Sequence, residues 1–97
     1  MKAVFISYNQ AFKNEILDIM LKAGVKGFTN WEEVTGRGSQ TGEPHLGDHA
    51  WPTLNSAMLC MVEDRIAADF MKRLKALDEK NPLMGLRAFS WTVDSTI

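Results

Sequence analysis

The sequence predicts an α+β fold of order βαββαβ, on three observations. Four short segments are rich in β-branched, aromatic and other apolar residues and are bounded by turn formers. Two intervening segments repeat apolar residues every three or four positions, as an amphipathic helix does. Each half of the chain runs strand, helix, strand, and helices of this length suit crossovers between parallel neighbours. With 97 residues, 45% of them apolar and 24% charged, the chain is a single globular domain by length and composition.

Lys2 to Tyr8 (KAVFISY) reads as the first strand, and Asn9 as the N-cap of the helix after it. In that helix Phe12, Ile16, Ile19, Met20 and Ala23 form one apolar stripe, and Gly24 supplies the stop. Val25 to Thr35 (VKGFTNWEEVT) is a second strand whose apolar positions Val25, Phe28, Trp31 and Val34 slip out of period, the mark of a bulge. Residues 36 to 52 hold four glycines and two prolines, so they form a long loop of the kind that usually carries function. Thr53 to Glu63 is the third strand. Asp64 is expected to cap a second helix with the stripe Ile66, Ala67, Phe70, Met71, Leu74 and Leu77, ending before Asn81-Pro82. Gly85 to Val93 alternates as a fourth strand, with Arg87, Phe89, Trp91 and Val93 on one side.

This is the ferredoxin-like arrangement: a four-stranded antiparallel sheet with both helices on one face. Two helices cover only one face, yet the strands are apolar on both. Ala3 and Phe5 oppose Val4, Ile6 and Tyr8, and Ala57, Leu59 and Met61 oppose Leu54, Met58, Cys60 and Val62. A solvated face reads polar, so the second apolar face predicts burial against another subunit.

Gly27-Phe28-Thr29, followed by Gly36-Arg37-Gly38-Ser39-Gln40-Thr41-Gly42, resembles the second strand and T-loop start of the PII signal-transduction family. The opening strand, the helix ending at Ala23-Gly24 and the strand ending at Glu63-Asp64 fall where that family has them, so the resemblance covers most of residues 1 to 93. It implies a non-enzymatic regulatory homotrimer with ATP or ADP in the clefts between subunits, and a T-loop that changes shape to engage a transporter, channel or enzyme. By the same resemblance Thr29 would lie beside the adenine, Gly36, Gly38 and Gln40 at the T-loop base near the ligand, and Gly85 and Arg87 at the phosphate-binding B-loop of the neighbouring subunit. Glycines let backbone N–H groups approach anionic oxygens, and an arginine offers a planar donor fork.

The chain departs from the family pattern in places. The family's B-loop has two glycines followed by a lysine, whereas Asn81 to Arg87 (NPLMGLR) has one glycine and no lysine. The family's basic C-terminal segment has no counterpart, for residues 88 to 97 contain neither lysine nor arginine. The sole tyrosine, Tyr8, lies in the first strand, so nucleotidylation of a loop tyrosine is not expected. The pattern is that of a divergent PII-like protein, and PII-like proteins include a group associated with heavy-metal efflux.

His45, Asp48 and His49, with Glu43 nearby, form one cluster with the chemistry of a divalent-metal site. The plainer reading is a polar loop with solvated histidines, since two histidines without partners from elsewhere hold a metal weakly. A metal-binding protein similar to the CutA-like divalent-cation tolerance proteins is therefore an alternative function. A small enzyme of the dimeric α+β barrel type, which shares this topology, is another. Arg37 and Trp51 are candidate partner contacts of the loop; Trp51 would equally fold back onto its own subunit. Trp91, alternating with Phe89 and Val93, reads as part of the packed sheet face, and Cys60 as a small buried hydrophobe. Glu32 and Glu33 are adjacent and point to opposite faces of a strand, so they are a poor acid–base pair. Lys72, Arg73, Lys75, Asp78, Glu79 and Lys80 read as the solvated side of the second helix.

Eleven basic residues against twelve acidic, with no basic run, argue against a nucleic-acid binder. One cysteine excludes an intrachain disulfide, and no apolar stretch approaches 18 residues. A cytoplasmic, reduced setting without direct membrane insertion is expected.

Overall fold

The computed structural model describes residues 1–36, 44–47 and 54–97. Strands β1 (Lys2–Asn9), β2 (Phe28–Val34), β3 (Asn55–Val62) and β4 (Arg87–Thr92) form one antiparallel sheet in the order β2-β3-β1-β4. Helix α1 (Lys13–Ala23) lies between β1 and β2, and α2 (Asp64–Lys80) between β3 and β4. This is the ferredoxin-like architecture expected from the order of elements.

The two helical stripes meet one face of the sheet. Ile16 and Met20 of α1 and Ala67, Phe70 and Leu74 of α2 are buried against Val4, Ile6 and Tyr8 of β1 and Met58, Cys60 and Val62 of β3. Phe70 is wholly enclosed. The termini of α1 follow from local chemistry. Asn9 accepts a hydrogen bond on Oδ1 from the Ala11 N–H at 2.9 Å, starting a single 3₁₀ turn, Gln10–Phe12, ahead of the helix. At the other end Gly24 takes φ +82°, which lets the Val25 N–H reach back to the Met20 carbonyl at 2.9 Å.

The start of α2 differs from expectation. Glu63 occupies the N-cap position without a side-chain cap bond, and Asp64 is the first helical residue. Its carboxylate is engaged instead by the Met1 ammonium at 2.9 Å, which holds the Asp64 carboxyl below its usual range. Several strand ends are also shorter than the sequence predicts. Val25 precedes β2 and is buried, Leu54 precedes β3, and Gly85 and Leu86 precede β4.

The bulge expected in β2 is present. Trp31 pairs with Ala57 and Val34 with Asn55, so one extra residue is accommodated between them. The bulge frees the Glu32 carbonyl from the ladder, and two side chains satisfy it: Ser56 Oγ donates at 2.6 Å and Gln10 Nε2 at 2.9 Å. The Glu32 carboxylate meets Lys13 of α1 at 2.8 Å and Asn30 Nδ2 at 3.1 Å. Glu32 thus ties β2 to the helix layer.

The other sheet face has no layer over it among the described residues. Cross-strand register places Met61, Ala3 and Trp91 in one row, and Thr29, Leu59, Phe5 and Phe89 in the next. Ala3 is buried between its large neighbours, but Trp31, Met61, Phe89 and Trp91 stand 45 to 58% exposed. Trp91, expected in the packed face, belongs to this uncovered one.

Truncating Phe70 removes the centre of the helix–sheet core. Phe70→Ala is expected to cost about 3–5 kcal/mol in urea denaturation, whereas Glu79→Ala on the exposed side of α2 stays within about 0.5 kcal/mol of the parent.

Candidate functional site

Thr29 lies near the other end of β2, whereas Gly36, His45, Gly85 and Arg87 gather at the end of the sheet where β1 finishes and β2 and β4 meet their loops. The backbone there is closed by a bridge between Gly36 and His45: the Gly36 N–H donates to the His45 carbonyl at 2.9 Å, and the His45 N–H donates back to the Gly36 carbonyl. A Cβ on Gly36 would stand 3.2 Å from Asn55 Nδ2, so the close approach of the two chains favours glycine. Gly47 is held more tightly still. It has φ +68°, and a Cβ there would collide with the Leu54 side chain.

His45 is buried at 5% exposure, contrary to a solvated loop histidine. Its Nδ1 lies 2.5 Å from Asn55 Oδ1, and Asn55 Nδ2 donates to Ser7 Oγ at 3.2 Å. The Asn55 side chain thus bridges the His45 ring and Ser7. This chain of bonds connects β1, β3 and the Gly36–His45 bridge, and it fixes where the loop leaves the sheet.

Arg37, Gly38, Gln40, Glu43, Asp48, His49 and Trp51 lie outside the described residues. Among the described residues no three His, Cys, Asp or Glu side chains gather as a metal site. Cys60 is fully buried in the helix–sheet core, and burial pushes its thiol up to about 11. It stays a protonated thiol at neutral pH, the form without nucleophilic or metal-binding strength.

Thr29 is exposed on β2, opposite Leu59. Gly85, with φ +75°, turns the chain from α2 into β4, and Arg87 opens β4 opposite Ser7. Gly36 and Arg87 therefore share one end of the sheet, Gly36 just after edge strand β2 and Arg87 at the start of edge strand β4, strands that lie three spacings or about 14 Å apart. The fold does not bring them onto one ligand-facing surface within a single chain.

Arg87 does not lie flat on the open face. Its long side chain rounds the β4 edge, where Nη1 donates to the Leu86 carbonyl at 2.6 Å and stands 3.8 Å from Asp78 Oδ1. That separation is an ion pair without a hydrogen bond. Beside it a groove of about 440 Å³ runs between α2 and β4. Lys72 and Lys75 line it together with Arg87, and Met71, Leu74 and Leu86 contribute apolar surface. Sequence reasoning missed this grouping and placed both lysines on a merely solvated side. It also missed Asn55 and Ser7, for which the sequence holds no signal beyond polar residues in otherwise apolar strands.

No protein-family model matches this sequence, and no curated protein matches it either. Solved structures do. The chain is similar to CPII, a nitrogen regulatory PII-like protein from Thiomonas intermedia K12, in its form bound to ADP, AMP and bicarbonate, with a TM-score of 0.75 and 20% identity over 93% of this chain and 82% of that one. It is likewise similar to the apo form of CPII, at a TM-score of 0.67 and 16% identity over 95% of this chain and 89% of that one. A PII-like signaling protein from Thermus thermophilus matches at a TM-score of 0.67 and 20% identity, over 95% of this chain and 85% of that one. The architecture is therefore that of the PII-like proteins. Among the described residues no helix is long and apolar enough to cross a membrane.

Removing the Asn55 amide leaves the buried His45 Nδ1 without its hydrogen-bond partner. Asn55→Ala should lower stability by about 1–3 kcal/mol in chemical denaturation, beyond any change seen in a His45→Phe background. Cys60 in the native protein should resist alkylation by iodoacetamide at neutral pH and react once urea unfolds the chain, as followed by mass spectrometry.

Proposed function

We propose that this chain is a non-enzymatic PII-like regulatory protein. It assembles as a homotrimer, binds an adenine nucleotide in the clefts between subunits, and signals through the loop at about 36–52 to a partner such as a transporter. A divergent place in the PII superfamily and a cytoplasmic setting belong to the same reading.

The observation that carries the reading is the disposition of the candidate ligand groups. The T-loop base at Gly36 and the β4 start at Gly85 and Arg87 lie at one end of the sheet but by opposite edge strands. In one chain they lie across the width of the sheet from each other, whereas the β2 side of one copy set against the β4 side of another would bring them together. The exposed apolar face that carries Trp31, Met61, Phe89 and Trp91 on three successive rows supports assembly, since a monomer rarely leaves such a surface in water. The likeness to CPII, whose structures hold ADP with AMP, bicarbonate or acetate, supports an adenine nucleotide as the ligand class.

In this mechanism the nucleotide favours one arrangement of the loop at its base, and the partner binds only that arrangement. The His45–Asn55–Ser7 chain holds the loop root rigid, so a change in the loop beyond it need not disturb the sheet. Thr29, Gly36, Gly38, Gln40, Gly85 and Arg87 form the nucleotide site, and Arg37 and Trp51 belong to the partner surface.

Light scattering on the purified protein should give three times the subunit mass, and calorimetry should give micromolar ADP or ATP binding. Trp91→Glu places a charge in the apolar face and should dissociate the assembly and abolish nucleotide binding, while far-ultraviolet circular dichroism keeps the folded signature. Gly38→Val should leave the trimer intact and remove the ligand response. A trimer that binds no adenine nucleotide would count against the ligand, and a stable monomer against the whole reading.

A further inference from the structure

We propose that Lys72 and Lys75 of α2 act with Arg87 as the cradle for the ligand's phosphate groups. They supply from a helix the positive charge that residues 81–97, with Arg87 alone, do not. This rests on the nucleotide reading above and names the residues that make it work in this chain.

The need for this added charge is visible in the sequence. From Asn81 to Ile97 the only cation is Arg87, so the α2–β4 connection and β4 carry a single positive charge against the two or more negative charges on a nucleoside diphosphate. The fold compensates from another element. Residues 71, 72, 74, 75 and 78 fall on one side of α2 and line the groove beside Arg87. The groove, about 440 Å³, lies within the range of small-ligand sites, with cationic groups above apolar surface from Met71, Leu74 and Leu86.

What is particular to these two lysines is that they share one groove with Arg87. Arg73 pairs with Asp69 and Lys22 with Asp18 along their own helices. Among the described residues neither Lys72 nor Lys75 makes an ion pair. Of their carboxylate neighbours three or four residues away, Asp69 is taken by Arg73, while Asp78 and Glu79 lie three and four residues after Lys75. Arg87, for its part, uses one of its five N–H donors on Leu86 and stands beyond hydrogen-bond distance of Asp78. The groove lining thus carries three cations, Lys72, Lys75 and Arg87, against the single carboxylate of Asp78, the charge balance that suits a polyvalent oxyanion.

The test uses the intact assembly and three probes: ADP, adenosine and inorganic pyrophosphate. Both lysines lie at the open groove rather than in the core, so the Lys72→Ala/Lys75→Ala variant keeps the oligomer and the thermal midpoint of the parent. ADP affinity in that variant should fall by about a hundredfold, about tenfold per lysine, with adenosine affinity unchanged. The fall of ADP affinity with added salt should become shallower, and Lys72→Arg/Lys75→Arg should restore most of the binding. ADP binding that is undiminished in the double alanine variant would overturn the cradle while the nucleotide reading stands. Pyrophosphate binding that is lost in the variant, in a parent that ignores ADP and adenosine, would keep the cradle and overturn the nucleotide. A parent that binds none of the three overturns both.

Discussion

Two helices can cover one face of a four-stranded sheet and no more, and this sheet is apolar on both faces. That mismatch organises the molecule. The covered side is a closed core in which Phe70, Ile16 and Met58 are fully enclosed. The uncovered side presents Phe89, Trp91, Met61 and Trp31 in rows set by the β1–β4 and β3–β2 registers. An apolar face of this kind stabilises an assembly and disfavours an isolated chain. The candidate ligand residues Gly36 and Arg87 stand by opposite edge strands of the same sheet.

The polar end of the sheet solves a different problem. A loop that carries function must leave a rigid scaffold at a defined point, and backbone groups leaving a ladder lose their partners. Here the bulge carbonyl of Glu32 is taken by Ser56 and Gln10, and the Gly36–His45 bridge is anchored through Asn55 to Ser7. Most of these bonds run between elements far apart in the chain. The root of the loop is thereby part of the core, whatever the loop beyond it does.

Charge placement follows the same logic of supply from a distance. An anion site near the β4 start needs cations, and the connection that leads into β4 has only Arg87. Helix α2 runs alongside, and a lysine one turn from another on that side reaches the same groove. Carrying these cations on a helix rather than a loop places them on a stiffer element, which lowers the entropy lost when a ligand is held.

The order of elements, both helical stripes, the glycine stop of α1, the bulge in β2 and the doubly apolar strands were legible in the sequence, because each depends on residues close together in the chain. Periodicity reports which face of an element is apolar, and glycine reports a backbone conformation, with no knowledge of what lies opposite. Asp64 could not be read the same way, because its partner is the Met1 ammonium rather than a nearby backbone N–H. His45 is the clearest case. In the sequence it sits among glycines, prolines and polar residues and looks solvated, yet it is buried, because Asn55 and Ser7 come to it from two strands. Trp91 likewise alternates as a packed residue should, and only the side on which the helices lie decides that it remains exposed. Lys72 and Lys75 are ordinary helix lysines until β4 brings Arg87 beside them. Local patterns thus determined the elements and their apolar faces; the tertiary structure decided which polar side chains meet, since hydrogen bonds and charge clusters depend on distances that sequence separation does not encode.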